Sequence, residues 1–331
     1  MNRRSPRAAL FAAFILFGAS MVACPFFGPA PLDWNAVFRA PLEGDGLVFF
    51  SVRLPRVLMA LLAGAALSVS GAVFQAVLRN PLACPYTLGV AGGASLGAVA
   101  AFAWALPASF AGIPTVTLTS FAGALLSALL VFGLASIRRS YSSTLLILAG
   151  ITANFLFNAL IMILYYLSDF TQGAAMLHWM LGGLDGSDMG SFRIAASALA
   201  LPALILLFIP RELDLLAAGD DMASSKGVPA QKLALVALGA ASLATGAVVS
   251  MTGPIGFVGL LVPHALRPFT GTSHRFLLPA SALLGGAFLA ICDTLARTIF
   301  SPAELPVGVV TALLGGPFFL LLLVRLQRLR F

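Results

Sequence analysis

The sequence predicts an all-α polytopic membrane protein with about ten transmembrane helices. Two observations carry the membrane assignment. Of 331 residues, 60% are hydrophobic and only 9% are charged, where a soluble protein carries ~25% charge; the mean hydropathy is +1.01. Apolar windows of ~20 residues recur along the whole chain, each bounded by Pro, Gly or charge. In lipid only helices or closed barrels satisfy the backbone, and windows of this length mean helices.

The windows run roughly 8–28, 54–78, 87–107, 114–136, 143–167, 191–209, 230–252, 255–267, 276–299 and 306–325. The first follows a basic MNRRSPR start and ends on a small residue before Cys24, so it resembles a secretory or lipoprotein signal. Its apolar run continues to Phe27, long enough to span, and removing it would leave an odd number of spans. It is therefore expected to stay as the first span. In the third window Gly89, Gly93, Gly97 and Ala101 recur every four residues, a spacing that lets helix backbones approach closely. Ordinary intrachain packing and a subunit seam are both open for that face.

The eighth window is too short. In GPIGFVGLLVPHALRPFTGTSHR (253–275), Pro254 and Pro263 bracket an apolar stretch that His264 and Arg267 follow at once. At ~1.5 Å per residue it cannot cross ~30 Å of hydrocarbon. A broken segment at membrane depth is tolerated only inside protein or beside a watery cavity, so this one is expected inside the bundle, beside a pathway. The longest loops are ~20–25 residues, which leaves no inserted soluble domain; residues 1–331 read as one transmembrane domain.

Charge orients it. With ten spans and the N-terminus inside, the cytoplasmic side holds Arg3, Arg4, Arg7, Arg79, Arg138, Arg139, Arg211, Lys226, Lys232, Arg267, Arg275, Arg325, Arg328 and Arg330. The outer side keeps Arg39, Arg53, Arg56, Arg193 and Arg297. That is the positive-inside bias, and it accounts for the net charge of +7 without a nucleic-acid partner. Both termini are expected in the cytoplasm.

Catalytic signatures are missing. Lys226 and Lys232, the only lysines, lack the GxxxxGK context of an ATP-binding loop. HExxH does not occur, and His178, His264 and His274 are too scattered to suggest a metal site. Cys24, Cys84 and Cys292 read as buried small apolar residues. No bound cofactor or metal is expected. The one carboxylate near mid-span, Asp293, has Arg297 four residues on, on the same helix face. An ion-coupled secondary transporter, the alternative function, needs more buried ionisable groups than this.

Two polar regions are candidate sites. Arg53 and Arg56 of SVRLPR lie three apart at the outer end of the second span, and Arg297 lies near the outer end of the ninth. They are either snorkelling or internally paired, or a basic docking patch for an acidic partner. On the inside, RELDLLAAGDDMASSKGV (211–228) alternates Leu213, Leu215, Leu216 and Met222 with polar residues, broken by Gly219 and Gly227. It reads as short amphipathic helices at the membrane surface, either a plain connector or a docking surface for a cytoplasmic protein.

Three blocks carry a family resemblance: RLPRVLMALLAGAALSVSGAVFQAVLRNPLACPYTLGV (53–90), GPIGFVGLLVPHALRPFTGTSHRFLLPASALLGGAFLAICDTLAR (253–297) and ELPVGVVTALLGGPFFLLLL (304–323). In this order they resemble the permease subunits of bacterial type II ABC importers for iron–siderophore complexes, haem and cobalamin. The resemblance implies a bacterial inner membrane, ten helices per subunit, a homodimer or close heterodimer of permease subunits, a cytoplasmic ABC ATPase dimer that uses ATP and Mg, a periplasmic or lipid-anchored binding protein, and alternating access. By position, Arg53, Arg56 and Arg297 resemble the basic residues that meet the binding protein. Leu213, Leu215, Leu216, Gly219, Asp220, Asp221 and Gly227 resemble the coupling segment in the ATPase cleft, although Lys226 stands where an apolar residue is common. Asn80 and Leu82, with Ser142, Ser143 and Thr144, resemble the cytoplasmic gate. His264 and Arg267 read as packing residues near the coupling region.

Overall fold

The computed structural model describes residues 5–136 and 143–328. Its helices are α1 (Pro6–Ala23), α2 (Trp34–Arg39), α3 (Gly44–Leu47), α4 (Leu54–Val77), α5 (Val90–Ala103), α6 (Thr115–Ser136), α7 (Ser143–Leu167), α8 (Phe170–Met180), α9 (Met189–Phe208), α10 (Pro210–Ala218), α11 (Asp220–Ser225), α12 (Ala230–Thr252), α13 (Val258–Thr270), α14 (His274–Thr298) and α15 (Val307–Arg328). The only strands among the described residues are Ser109–Phe110 and Ile113–Pro114, an antiparallel pair before α6.

Seven of the helical segments are long and apolar enough to cross a membrane. Two shorter apolar helices, Val90–Ala103 and Val307–Leu321, and the half-length α13 fall in the other three windows. Hydropathy does not sort these helices into inner and outer ones, because lipid and core are equally apolar; small residues do. The spanning window around α4 is 72% buried, whereas those of α1 and α9 are 22% buried. In α4, a Cβ on Gly64 would fall 2.1 Å from the Gly285 carbonyl oxygen of α14, and one on Gly71 would fall 1.8 Å from that of Gly259 in α13. Only glycine admits these crossings. The glycines of α5 serve the same end: Gly93 and Gly97 lie against the backbones of Gly123 and Thr119 in α6. That face is intrachain packing.

The short segment departs from expectation in one respect. Pro263 does not bound it but sits inside α13. A proline there removes the N–H that would bond the carbonyl four residues back, here that of Gly259. Gln75 of α4 fills the vacancy, its Nε2 donating to the Gly259 oxygen (3.3 Å) while its Oε1 accepts from Arg267 Nη2 (2.9 Å). One side chain thus satisfies the break and orients the arginine beyond it. α13 starts instead after its N-cap Phe257, which has φ +66°, an outlier for a bulky residue. The Phe257 ring occupies the space a side chain at Gly315 of α15 would need.

Helices were also hidden in the connecting loops. The second window is prolonged at its N-terminal side by α3 and a π-helical stretch, Val48–Arg53. α8 lies where a loop was expected. Its signal was in the sequence: Asp169 and Gln172 form a reciprocal capping box.

Candidate functional site: the two polar ends of the bundle

Arg56 begins α4 and Arg297 ends α14, so one end of the bundle, the arginine end, collects both. Asp293 joins them. Arg56 Nε donates to Asp293 Oδ1 at 3.0 Å and Oδ2 at 3.2 Å, and Arg56 Nη2 lies 3.0 Å from Oδ1. Arg297 Nε stands 3.4 Å from Asp293 Oδ2, and its Nη2 donates to the Cys24 carbonyl at 2.9 Å. Glu304, in the turn before α15, accepts from Arg56 Nη1 at 2.7 Å. Arg53 donates to the carbonyls of Phe26 and Ala30, with its guanidinium packed over Gly28.

The three arginines are 4%, 7% and 1% exposed, and Asp293 is fully buried. In the chain alone the three guanidiniums do not form an outward-facing basic patch. A guanidinium this far from water needs acceptors, and the nearby chain supplies them. Of the two readings left open, internal pairing describes all three side chains. Glu304, only a third exposed, was missed as a partner because 248 residues separate it from Arg56.

Close by lies a half-exposed pair. His178 Nε2–H donates to Asp185 Oδ2 at 3.0 Å. Burial works to raise the Asp185 carboxyl, but the His178 hydrogen bond holds it below the usual carboxylate range.

The opposite end, the connector end, carries α10 and α11. Leu213 and Leu216 are 0% and 2% exposed. Both are buried in this chain's own core and anchor α10 to it. Leu215 and Gly219 are half-buried, while Asp220, Asp221, Met222 and Gly227 face out. Arg79 reaches Asp220 at 2.8 Å. Asp214, which the sequence reading passed over, accepts from the N-terminus of α14 through His274. A cavity of about 380 Å³ opens beside α11, lined by Arg79, Ser143, Leu216, Asp220 and Lys232 among others. Of the expected gate residues, Ser143 lines this cavity and Thr144 is exposed beside it in α7. Asn80 and Leu82 form a separate turn, in which the Asn80 side chain accepts from the Leu82 amide at 2.9 Å. Ser142 lies outside the described residues.

A wide apolar groove of about 610 Å³ lies beside the α12–α13 break. Met180, Leu181, Pro254, Gly308 and Leu313 line it. The described residues hold no group of three or more His, Cys, Asp or Glu that could bind a metal.

Residues 13–325 match the model of the FecCD transport family. The chain belongs to that family. A FecCD chain of this kind is an ABC-transporter permease and a multi-pass membrane protein. It is 41% identical to the hemin transport system permease protein HmuU of Yersinia pestis, with 100% of this chain and 99% of that protein covered. It is 38% identical to the iron(III) dicitrate permease FecD of Escherichia coli K12, covering 96% and 98%. It is 39% identical to the vitamin B12 permease BtuC of E. coli O17:K52:H18, covering 90% and 88%. Among solved structures, one described as an inward-facing metal-chelate type ABC transporter shares 29% identity, with a TM-score of 0.87 over 96% of this chain and 99% of that one. The family excludes the ion-coupled alternative, and its FecCD permeases are not catalytic themselves.

Proposed function

We propose that this chain is the permease subunit through which an ATP-driven importer moves a metal chelate across a bacterial inner membrane. The observation that carries the reading is kinship over at least nine-tenths of the chain to three permeases whose names specify hemin, iron(III) dicitrate and vitamin B12. Each of those is a bulky metal chelate. The groove beside the α12–α13 break suits such cargo, because its wall offers surface and few fixed charges. The chain works as one domain, with both termini in the cytoplasm and the lysines and arginines concentrated there.

The partners are a cytoplasmic ABC ATPase dimer, a second copy of this permease and a periplasmic or lipid-anchored binding protein. ATP and Mg act at the ATPase, and this chain binds no cofactor. The segment 211–228 couples to the ATPase: Leu215, Gly219, Asp220, Asp221 and Gly227 lie on its accessible side, and Leu213 and Leu216 hold it in place from beneath. Ser143, Thr144, Asn80 and Leu82, with Ser142, close the cytoplasmic side. The binding protein docks at the arginine end, where Arg53, Arg56 and Arg297 shape the surface from within. Transport is alternating access, biased by partners that bind the two states unequally.

The test reconstitutes the permease with its ATPase and binding protein and follows ATP-driven uptake of hemin, ferric dicitrate and cyanocobalamin. Uptake of one of the three names the cargo. Uptake of none, by a complex shown to be assembled, rejects the cargo class. Because Arg53 and Arg56 are internal, the Arg53→Glu, Arg56→Glu variant tests docking only where its melting temperature matches the parent's.

A further inference from the structure

Among the described residues, two polar ties of unequal quality join the connector end to the bundle. One is Arg79–Asp220 at 2.8 Å, with side chains 37% and 55% exposed. An ion pair that wet is screened and holds little. The other is Asp214 of α10. Its Oδ1 accepts the main-chain N–H of His274 at 2.8 Å and the Nδ1–H of the His274 ring at 2.5 Å, while Oδ2 accepts the Ser273 hydroxyl at 3.5 Å.

This is a helix cap supplied by another helix. Ser273 holds the N-cap position of α14 but makes no capping bond of its own. The Asp214 carboxylate takes that place, where the free N–H groups and the helix dipole favour negative charge. His274 is 1% exposed, so the contact is dry on one side. Leu213 and Leu216, buried either side of Asp214, stop that turn of α10 from swinging alone. From His274, α14 runs 25 residues, ~37 Å at 1.5 Å per residue, to Asp293 and Arg297 in the buried network of the arginine end. A single helix therefore has its first residue fastened to the connector and its last turn fastened to α4, the Cys24 carbonyl and, through Arg56, Glu304.

We propose that Asp214 is the positioning residue that ties the connector to α14, so that a displacement of α10 and α11 is delivered along α14 to the arginine end. This rests on the reading of 211–228 as the ATPase-coupling segment. Asp214 touches neither cargo nor nucleotide in this scheme; it acts through His274.

The test is hydrogen–deuterium exchange on the full chain in nanodiscs, alone and with its ATPase, for the parent, Asp214→Ala and Asp214→Asn. Asparagine keeps an oxygen acceptor for His274 without the charge. In the chain alone, amides 210–218 exchange at least tenfold faster in Asp214→Ala, Asp214→Asn stays near the parent, and amides 277–296 are unchanged in both. In the complex, ATP with vanadate alters exchange at residues 299–306 of the parent and of Asp214→Asn. In Asp214→Ala that response is lost. Unchanged exchange at 210–218 in Asp214→Ala overturns the tie. A response at 299–306 that is equal in the parent and Asp214→Ala, or absent from the parent, overturns the transmission. A parent chain that captures no ATPase rejects the coupling reading and the transmission together, and the exchange of the chain alone then decides the tie.

Discussion

Replacing Asp293 by alanine separates a structural network from a surface feature. Asp293 is 0% exposed and lies between Arg56, at 3.0 Å, and Arg297, at 3.4 Å. Removing it leaves Arg56 with Glu304 alone and strips Arg297 of its only carboxylate among the described residues. Breaking a buried pair by deleting one partner costs ~3–5 kcal/mol, chiefly because the surviving charge stays desolvated. At ~2 °C per kcal/mol for a chain of this size, Asp293→Ala should melt about 6–10 °C lower in detergent. Glu304→Gln is the control. Its side chain is 34% exposed, and pairs that face water are worth ~0.2–1 kcal/mol, so its shift should stay under about 2 °C. Adding Arg297→Met to Asp293→Ala removes one orphaned cation and should restore part of the loss. Equal melting shifts for Asp293→Ala and Glu304→Gln would refute the reasoning and return the arginines to a surface role.

The broken helix offers a second test: Gln75→Leu leaves the Gly259 carbonyl without its side-chain donor and Arg267 without Gln75, and should cost ~1–3 kcal/mol by thermal melting. Two glycines should answer in opposite directions. Gly71→Ala drives a methyl into the Gly259 backbone and should prevent folding or cost several kcal/mol, whereas Gly239→Ala, in α12 with nothing within 4 Å of the added carbon, should gain up to ~1 kcal/mol from helix propensity. Asp188 caps α9 through Ser191, whose amide donates to it at 2.7 Å; the Ser191 hydroxyl and amide bonds hold its carboxyl below the usual range. Its folded pKa is depressed, so the cap, worth ~0.5–2 kcal/mol, is fully present above the unfolded value of ~3.9. It is lost as pH falls through the folded value. Asp188→Asn should flatten that acid limb of a melting-versus-pH curve.

The sequence alone settled the class, and ten segments are visible in its windows because a membrane span needs ~20 apolar residues wherever it packs. It also marked α13 as too short to cross, and it located Arg53, Arg56, Arg297 and the 211–228 connector as the polar exceptions in an apolar chain. Tertiary structure decided what those exceptions do. Charge patterning cannot tell a guanidinium facing water from one facing Asp293, because the partner's distance in space is not encoded in its distance along the chain. The same limit hid Glu304 from Arg56, Gln75 from the carbonyl that Pro263 frees, and Asp214 from the start of α14. It also placed Leu213 and Leu216 in this chain's own core, since an amphipathic period fixes which residues share a face but not what that face meets. Apolar windows announce themselves locally through solvation, whereas buried polar groups are defined by pairing, and pairing exists only once the chain has folded.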